Sequence, residues 1–364
     1  MPACRLRHAD GSDRGRWDGY VRGHPAASLY HLFGWGGVFR RVYGHATHYL
    51  MALDKADDRV IGVLPLVHFK HAIFGNRLVS MPFVDGGGIL ASSSEAEYLL
   101  LAEAVRVGRE LGAGSLELRN ERGLESAPDV GAAGGDGIGE SLRAAVRTDK
   151  VRMLLTLPES SRLLMDGFKS KLRSQVNRPL KEGLAARVGG AELLEDFYAV
   201  FLVNMRELGS PVHSVDLMRH VLAEFPGQSA IIVVYRSKEP VASALVAGHG
   251  KMLRNPWASS LRKYAFLSPN MLLYLRMLEY ACDNGYRVFD FGRSTAGEGT
   301  YRFKEQWGAV PAPLYWNYVS LDGKSLDPGQ SGVERFRGAA RFWKMLPLAV
   351  TKVIGPHVRK HISL

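Results

Sequence analysis

The sequence predicts an α/β protein of the α+β kind, built from two copies of one unit. Three observations carry the prediction. At 364 residues the chain is long enough for two ordinary domains. Its content of 46% hydrophobic and 23% charged residues suits a globular protein with a real core. One order of elements, hairpin then strand then helix then strand, occurs twice along the chain.

In the first copy, Thr47–Asp54 and Arg59–Lys70 are rich in β-branched and aromatic residues and predict a hairpin. Arg77–Val84 predicts a strand, broken by Gly86-Gly87-Gly88. A helix follows from Ser94 to about Leu111 and is stopped by Gly112; Ser115–Arg119 closes the unit. In the second copy Ala230–Tyr235 and Val241–His249 form the hairpin, turning at Ser237-Lys238-Glu239-Pro240. Met252–Ser260 is the strand. Ser268 is expected as the N-cap and Pro269 as the first residue of a helix that runs to about Asn284 and stops at Gly285. Tyr286–Phe291 is the closing strand. Setting Gly112 against Gly285 gives an offset of 173, which pairs Leu99 with Leu272, Val105 with Leu278 and Glu117 with Asp290.

The glycine-rich stretch Gly123–Gly139 predicts a surface loop of the first half. Arg152–Leu157 predicts a further strand, and helices are expected over Ser160–Lys181 and Glu192–Leu208. The boundary is placed near Pro158, giving domains over 1–157 and 158–328, then a basic amphipathic tail over 329–364.

A net charge of +11, from 47 Lys plus Arg against 36 Asp plus Glu, favours anionic partners without choosing among nucleic acid, pyrophosphate and a membrane face. Charge alone does not argue for DNA, and no DNA partner is expected. The two cysteines, Cys4 and Cys282, are far apart and lack ligand neighbours, which excludes a disulfide framework and predicts no metal site. No run approaches the length of a membrane span, and the first residues carry no apolar signal segment, so a cytoplasmic location is expected. The tail from Arg335 alternates apolar and basic residues. It suits either packing on the domain or peripheral contact with an anionic inner membrane.

Phe289–Gly308 (FDFGRSTAGEGTYRFKEQWG) is the segment richest in chemistry. Asp290, Arg293, Tyr301, Arg302, Lys304 and Trp307 fall within 18 positions, after a strand and next to glycines that let a substrate approach the backbone. Phosphate-loop and dinucleotide patterns are absent, as are a nucleophile elbow and a cysteine in a catalytic setting.

GEGTYRFKEQWGA and NPWASSLRKYAFLSPNMLLY resemble the second acyltransferase domain of FemAB-like proteins, closest to the group encoded with exosortase (PEP-CTERM) and exopolysaccharide systems. KLRSQVNRPLKEGL, SPVHS and, more loosely, HLFGWGGVFRRVYGH resemble the same group. The resemblance implies two tandem GNAT-like acyltransferase domains, each a mixed, mostly antiparallel sheet flanked by helices. It implies transfer of an acyl or aminoacyl group to an amine of a cell-envelope precursor, a lipid- or nucleotide-linked saccharide or muropeptide. No tightly bound cofactor is implied; the donor would be aminoacyl-tRNA, acyl-CoA or acyl carrier protein. The Phe-Lys pair that lies at the reaction centre of peptidoglycan-bridge members matches Phe303 and Lys304 here. Acetyl-CoA-dependent GNAT enzymes hold pyrophosphate on a glycine-containing turn, and the matching stretch Arg262–Asn270 lacks those glycines.

On this basis Lys304 is expected to stabilise the oxyanion, Tyr301 to relay a proton and Asp290 to take it from the amine. Phe303 and Trp307 are expected to exclude water, with Arg302, Arg293 and Trp257 lining the substrate site. Ser268 and Asn270 would meet an anion at a helix start. Asp85 beside the three glycines would either orient the acceptor or cap the turn, and His213 would either line the pocket or serve the structure. Lys169, Lys171, Arg173, Arg178, Lys181 and Arg187 make a basic helix and exit, suited to a pyrophosphate or RNA backbone or to a solvated face. The competing expectation for the whole chain is a catalytically degenerate GNAT pair serving as a binding module in polysaccharide assembly or export.

Overall fold

The computed structural model describes residues 4–125, 143–324 and 337–363. Most of the expected glycine-rich loop, and the start of the tail, lie outside the described residues. The chain divides into two compact units. One takes described residues 4–150, 313–324 and 361–363; the other takes 151–312 and 337–360.

In the first unit the elements are β1 (Cys4–His8), α1 (Arg14–Gly23), α2 (Gly34–Tyr43), β2 (Ala46–Asp54), β3 (Val60–His71), β4 (Gly75–Val79), β5 (Leu90–Ala91), α3 (Ser94–Glu110), β6 (Ser115–Asn120) and β7 (Ala144–Arg147). In the second are β8 (Lys150–Thr156), α4 (Ser161–Gly167), α5 (Ser170–Lys181), β9 (Leu184–Gly189), α6 (Leu194–Leu208), α7 (Val215–Glu224), β10 (Ser229–Arg236), β11 (Glu239–His249), β12 (Met252–Ser260), α8 (Pro269–Asp283), β13 (Val288–Thr295), α9 (Gly299–Glu305) and β14 (Val310–Pro313). β15 (Tyr315–Ser320) returns to the first unit, and α10 (Arg337–Met345) and α11 (Leu348–Arg359) follow.

The sheet of the first unit has strand order β1-β2-β3-β4-β6-β15-β7, with β5 paired to β3; that of the second runs β14-β8-β13-β12-β11-β10-β9. Each unit contains an antiparallel hairpin, then a parallel pair joined by a helix: β4 with β6 across α3, and β12 with β13 across α8. The duplicated order read from the sequence is therefore present, and the two glycine stops, Gly112 and Gly285, both sit at positive φ, 62° and 78°. Only a residue without Cβ takes that left-handed turn cheaply at a helix end.

Apolar periodicity explains the layers. In α3, Leu100, Leu101, Ala104 and Val107 pack on Leu50, Leu64, Leu66, Leu78 and Leu116 of the first sheet. In α8, Leu272, Leu275 and Leu278 face Ile232, Val234, Ala244 and Val246 of the second. Each fully buried leucine contributes about 2 kcal/mol, so these rows set which helix face turns inward.

Two expectations change. The expected division near Pro158 and at 328 gives way to crossings after Lys150 and after Ala312, because β15 pairs antiparallel with both β6 and β7. Ser268 is not a capping serine: it has φ 56°, and its side chain makes no cap hydrogen bond. In the tail, α10 and α11 pack against α6, which is one of the two alternatives read from the sequence. Arg359 Nε donates to His213 Nε2 at 3.0 Å, and His213 is buried.

Burial, then the neighbouring Arg359 guanidinium, hold the His213 imidazole well below its ordinary pKa of 6.5. Above that value the ring is neutral in both folded and unfolded chains. Below it the unfolded chain takes up a proton that the folded ring refuses, so stability falls with acidification, by at most about 1.4 kcal/mol per pH unit. Chemical denaturation at stepped pH should show this loss in the wild type, and His213→Gln should lack that component. An identical pH profile in the variant would remove His213 as its source.

Candidate active site

Among the described residues, the parallel ladder between β12 and β13 has three rungs: Met252↔Val288, Leu253↔Phe289 and Arg254↔Asp290. β12 nevertheless continues to Ser260 and β13 to Thr295. Beyond Arg254 and Asp290 the two strands therefore run on without pairing to each other, and their facing backbone groups line a fork. An irregularity in the β11–β12 register between Leu245 and Ala247 bends β12 at this level.

A buried ion cluster sits at the last rung. Asp290 Oδ2 accepts from Arg254 Nη1 at 3.1 Å and from Arg152 Nη1 at 3.3 Å, and Oδ1 accepts from the Gly292 amide at 2.8 Å. All three side chains are buried, and they come from β13, β12 and β8, which are neighbours in the sheet. Asp290, expected to take a proton from the amine, is thus committed to holding the strands together. Sequence reasoning missed both arginines. The available signal was a guanidinium in the middle of an otherwise apolar strand, VRMLLT and MLRNPWASS, which needs a buried anion.

α9 folds back on the far side of β13. Lys304 is buried, and its Nζ donates to the carbonyls of Gly292 and Arg293, each at 2.9 Å. Its ammonium is therefore fixed against the peptide groups that wall the fork. Phe303 meets Tyr274 edge-on, with centroids 5.0 Å apart, and Trp307 packs against Phe168 at 5.8 Å. Tyr274 stacks on Phe291 at 5.4 Å and donates no proton readily, since burial pushes its phenol up to about 12. Phe303, Trp307, Tyr274, Phe291 and Phe168 thus form one aromatic cluster beside β13.

The walls also carry polar side chains that the sequence reading passed over. Asn255 Nδ2 donates to the Tyr274 hydroxyl at 3.3 Å. The oxygens Asn255 Oδ1, Ser259 Oγ and Ser294 Oγ are buried and have no hydrogen-bond partner among the described residues. Such groups are costly inside a protein unless something accepts or donates to them.

The structure gathers Asp290, Arg293, Tyr301, Phe303 and Lys304 on β13 and α9, with Trp307 in the turn just after α9. Tyr301 and Arg293 are half-buried there, while Arg302 is exposed. Other expected residues lie elsewhere. The Trp257 ring is buried against His213, centroids 6.3 Å apart, and His213 in turn accepts from Arg359 of α11. Ser268 and Asn270 stand at the start of α8, half-buried and exposed. Asp85 belongs to the first unit, where its carbonyl accepts from Trp316 Nε1 at 3.1 Å. The adjacent Gly86 and Gly88 exist for close packing: a Cβ at either would collide with Glu121 or Asn120. The basic residues of α5 are exposed, and Arg178 donates to the Phe266 carbonyl at 3.1 Å.

A substitution tests the cluster. Asp290→Asn leaves two buried guanidinium groups without their anion and should cost about 3–5 kcal/mol in denaturant unfolding. A loss below about 1 kcal/mol would mean that the cluster does not hold the strands.

Comparison with known proteins fits this architecture. The family model described as an acetyltransferase (GNAT) domain matches residues 168–305. The chain is 21% identical over 186 residues to a UDP-N-acetylmuramoylpentapeptide-lysine N(6)-alanyltransferase of Weissella viridescens. That match covers 49% of this chain and 54% of the relative, so the chain spans about half the length of that curated protein. Among solved structures, FemX superposes with a TM-score of 0.64 at 15% identity, covering 86% of this chain and 96% of FemX. A tandem GNAT protein from the clavulanic acid biosynthesis pathway superposes with a TM-score of 0.53 at 13% identity, covering 88% and 100%. The protein thus has the tandem GNAT fold, with the match to the acetyltransferase domain falling in its second unit.

Proposed function

We propose that the second unit is an N-acyltransferase, moving an acyl or aminoacyl group from an activated donor to an amine on a cell-envelope precursor. The observation that carries this reading is the β12–β13 fork with a fixed lysine ammonium behind one wall. Unpaired strand edges accept an extended chain of amides, as in strand addition. The spare oxygens of Asn255, Ser259 and Ser294 would complete the hydrogen bonds of a donor lying there.

The amine attacks the donor carbonyl, a C–N bond forms, and the tetrahedral oxyanion collapses with cleavage of the donor's C–S or C–O bond. Lys304 does not meet the oxyanion directly in this scheme. Its two bonds to the Gly292 and Arg293 carbonyls polarise those peptides, so the amides that follow them become stronger donors to the developing charge. Tyr301 relays the proton released by the attacking amine to the leaving group, so that the transfer is balanced. Phe303 and Trp307 keep water from the activated carbonyl. Arg293 and Arg302, on β13 and α9, attract an anionic donor or acceptor.

The donor is acyl-CoA, an aminoacyl-tRNA or an acylated carrier protein, and none is held as a tightly bound cofactor. The glycine-free Arg262–Asn270 stretch favours the latter two. The acceptor is a lipid- or nucleotide-linked saccharide or muropeptide. The resemblance to the exosortase-associated group favours an exopolysaccharide precursor, and the alanyltransferase relative a peptidoglycan one.

The test is mass spectrometry of amine-bearing acceptors incubated with each donor class. Lys304→Met should lower turnover by about 100-fold, and Lys304→Arg by less, with melting temperatures tracked for both. Wild-type-like turnover in a folded Lys304→Met protein would discard the role of Lys304. No modified acceptor with any donor would favour a binding module instead.

A further inference from the structure

α11 turns several large apolar residues to solvent while a threonine, a glycine and an arginine face the protein. Thr351, Gly355 and Arg359 are buried, whereas Val350, Val353 and Ile354 are 39%, 66% and 38% exposed. At about 100° per residue the two sets fall on opposite sides of the helix. Specific contacts fix this orientation. A Cβ at Gly355 would lie 2.9 Å from Val212 Cγ1, so glycine permits a close approach, and Arg359 is tied to His213. α10 extends the same character. Trp343 is buried, while Phe342 and Met345 are 59% and 73% exposed, and the Lys344 carbonyl accepts from Arg206 of α6 at 3.4 Å.

Charge identifies what would cover this surface. Residues 337–363 contain no aspartate or glutamate. Arg341, Lys344, Lys352 and His357 are exposed among the apolar side chains. The core of a protein interface is depleted of charge, whereas a basic helix with large apolar residues on its outer side suits the boundary between lipid headgroups and acyl chains. Among the described residues no helix is long and apolar enough to cross a membrane, so the pair would lie on the bilayer.

We propose that the outer face of α10 and α11 docks on an anionic lipid bilayer. Phe342, Met345, Val353 and Ile354 enter the headgroup–acyl boundary, and Arg341, Lys344 and Lys352 meet lipid phosphates. The surface belongs to the second unit and binds lipid whether or not the transfer chemistry proposed above is right. It would hold that unit where lipid-linked acceptors are found.

The experiment is co-sedimentation of the full chain with phosphatidylcholine vesicles and with phosphatidylcholine–phosphatidylglycerol vesicles. Binding is expected to the anionic vesicles and to weaken in high salt. Phe342→Ser/Val353→Ser/Ile354→Ser should lower it about tenfold or more, and so should Lys344→Glu/Lys352→Glu. Both variants change exposed side chains and should melt at the wild-type temperature. A wild type that stays in the supernatant with anionic vesicles overturns the proposal, as does an apolar-face variant that binds unchanged. A dimer in light scattering that this variant abolishes would instead assign the face to a second copy of the chain.

Discussion

The ion cluster of Asp290 with Arg152 and Arg254 is the interaction on which the second unit depends. Three ionisable side chains are taken out of water at one rung, and that desolvation is offset only while they keep their mutual distances. Because they come from β8, β13 and β12, the requirement locks three adjacent strands in register at that level. Immediately beyond it, β12 and β13 stop pairing. The strand ends can diverge without the sheet unravelling because the cluster pins the point of divergence. Lys304 acts one step further along, clamping α9 onto Gly292 and Arg293 so that the β13 wall is held from behind.

The first unit has the same order of elements and puts the matching position to a different use. The offset that aligns Gly112 with Gly285 brings Glu117 onto Asp290. Glu117 is also buried and bonded to an arginine, but the partner is Arg119 on its own strand, at 2.8 Å. The same guanidinium donates to the carbonyls of Met81, Val84 and Ser363. There too the parallel ladder ends at the acid, Val79↔Glu117, but the chain beyond it is held to β6: Ser80 Oγ accepts from the Arg119 amide at 2.9 Å, and the Gly88 amide donates to the Arg119 carbonyl at 2.9 Å. Where the second unit opens a fork, the first stays closed around a buried arginine. This asymmetry, not the shared fold, is the structural ground for proposing the transfer chemistry in the second unit.

Local signals carried much of this into the sequence. Alternating apolar residues gave the hairpins, and glycines ended the helices. The crowding of Asp290, Arg293, Tyr301, Phe303 and Lys304 in one short segment did mark one place in the fold. What depends on distant partners was not legible. Asp290 looked like a free carboxylate because its arginines lie 138 and 36 positions away. Lys304 looked like a free cation because its partners are backbone carbonyls, which leave no trace in residue identity. β15 was assigned to the second unit by proximity along the chain, although its partners are β6 and β7. His213 was open to a pocket or a structural role, and its partner Arg359 could not be named because it is 146 positions on, in a tail with no local pattern linking it to Pro211-Val212. Ser268 fitted the composition of a helix cap, but the short 3-10 turn over Arg262–Leu267 delivers it in the left-handed region, where its hydroxyl makes no cap bond.

The central claim is that β12 and β13 form a fork that receives the donor, and amide hydrogen exchange tests it most directly. In the free protein, peptides covering Asn255–Ser260 and Phe291–Thr295 should contain a fast-exchanging class that is missing from Met252–Arg254 and Phe289–Asp290. Adding the donor that supports turnover should slow that class. Uniform protection through Ser260 and Thr295 in the free protein, or fast exchange that the donor leaves unchanged, would contradict it.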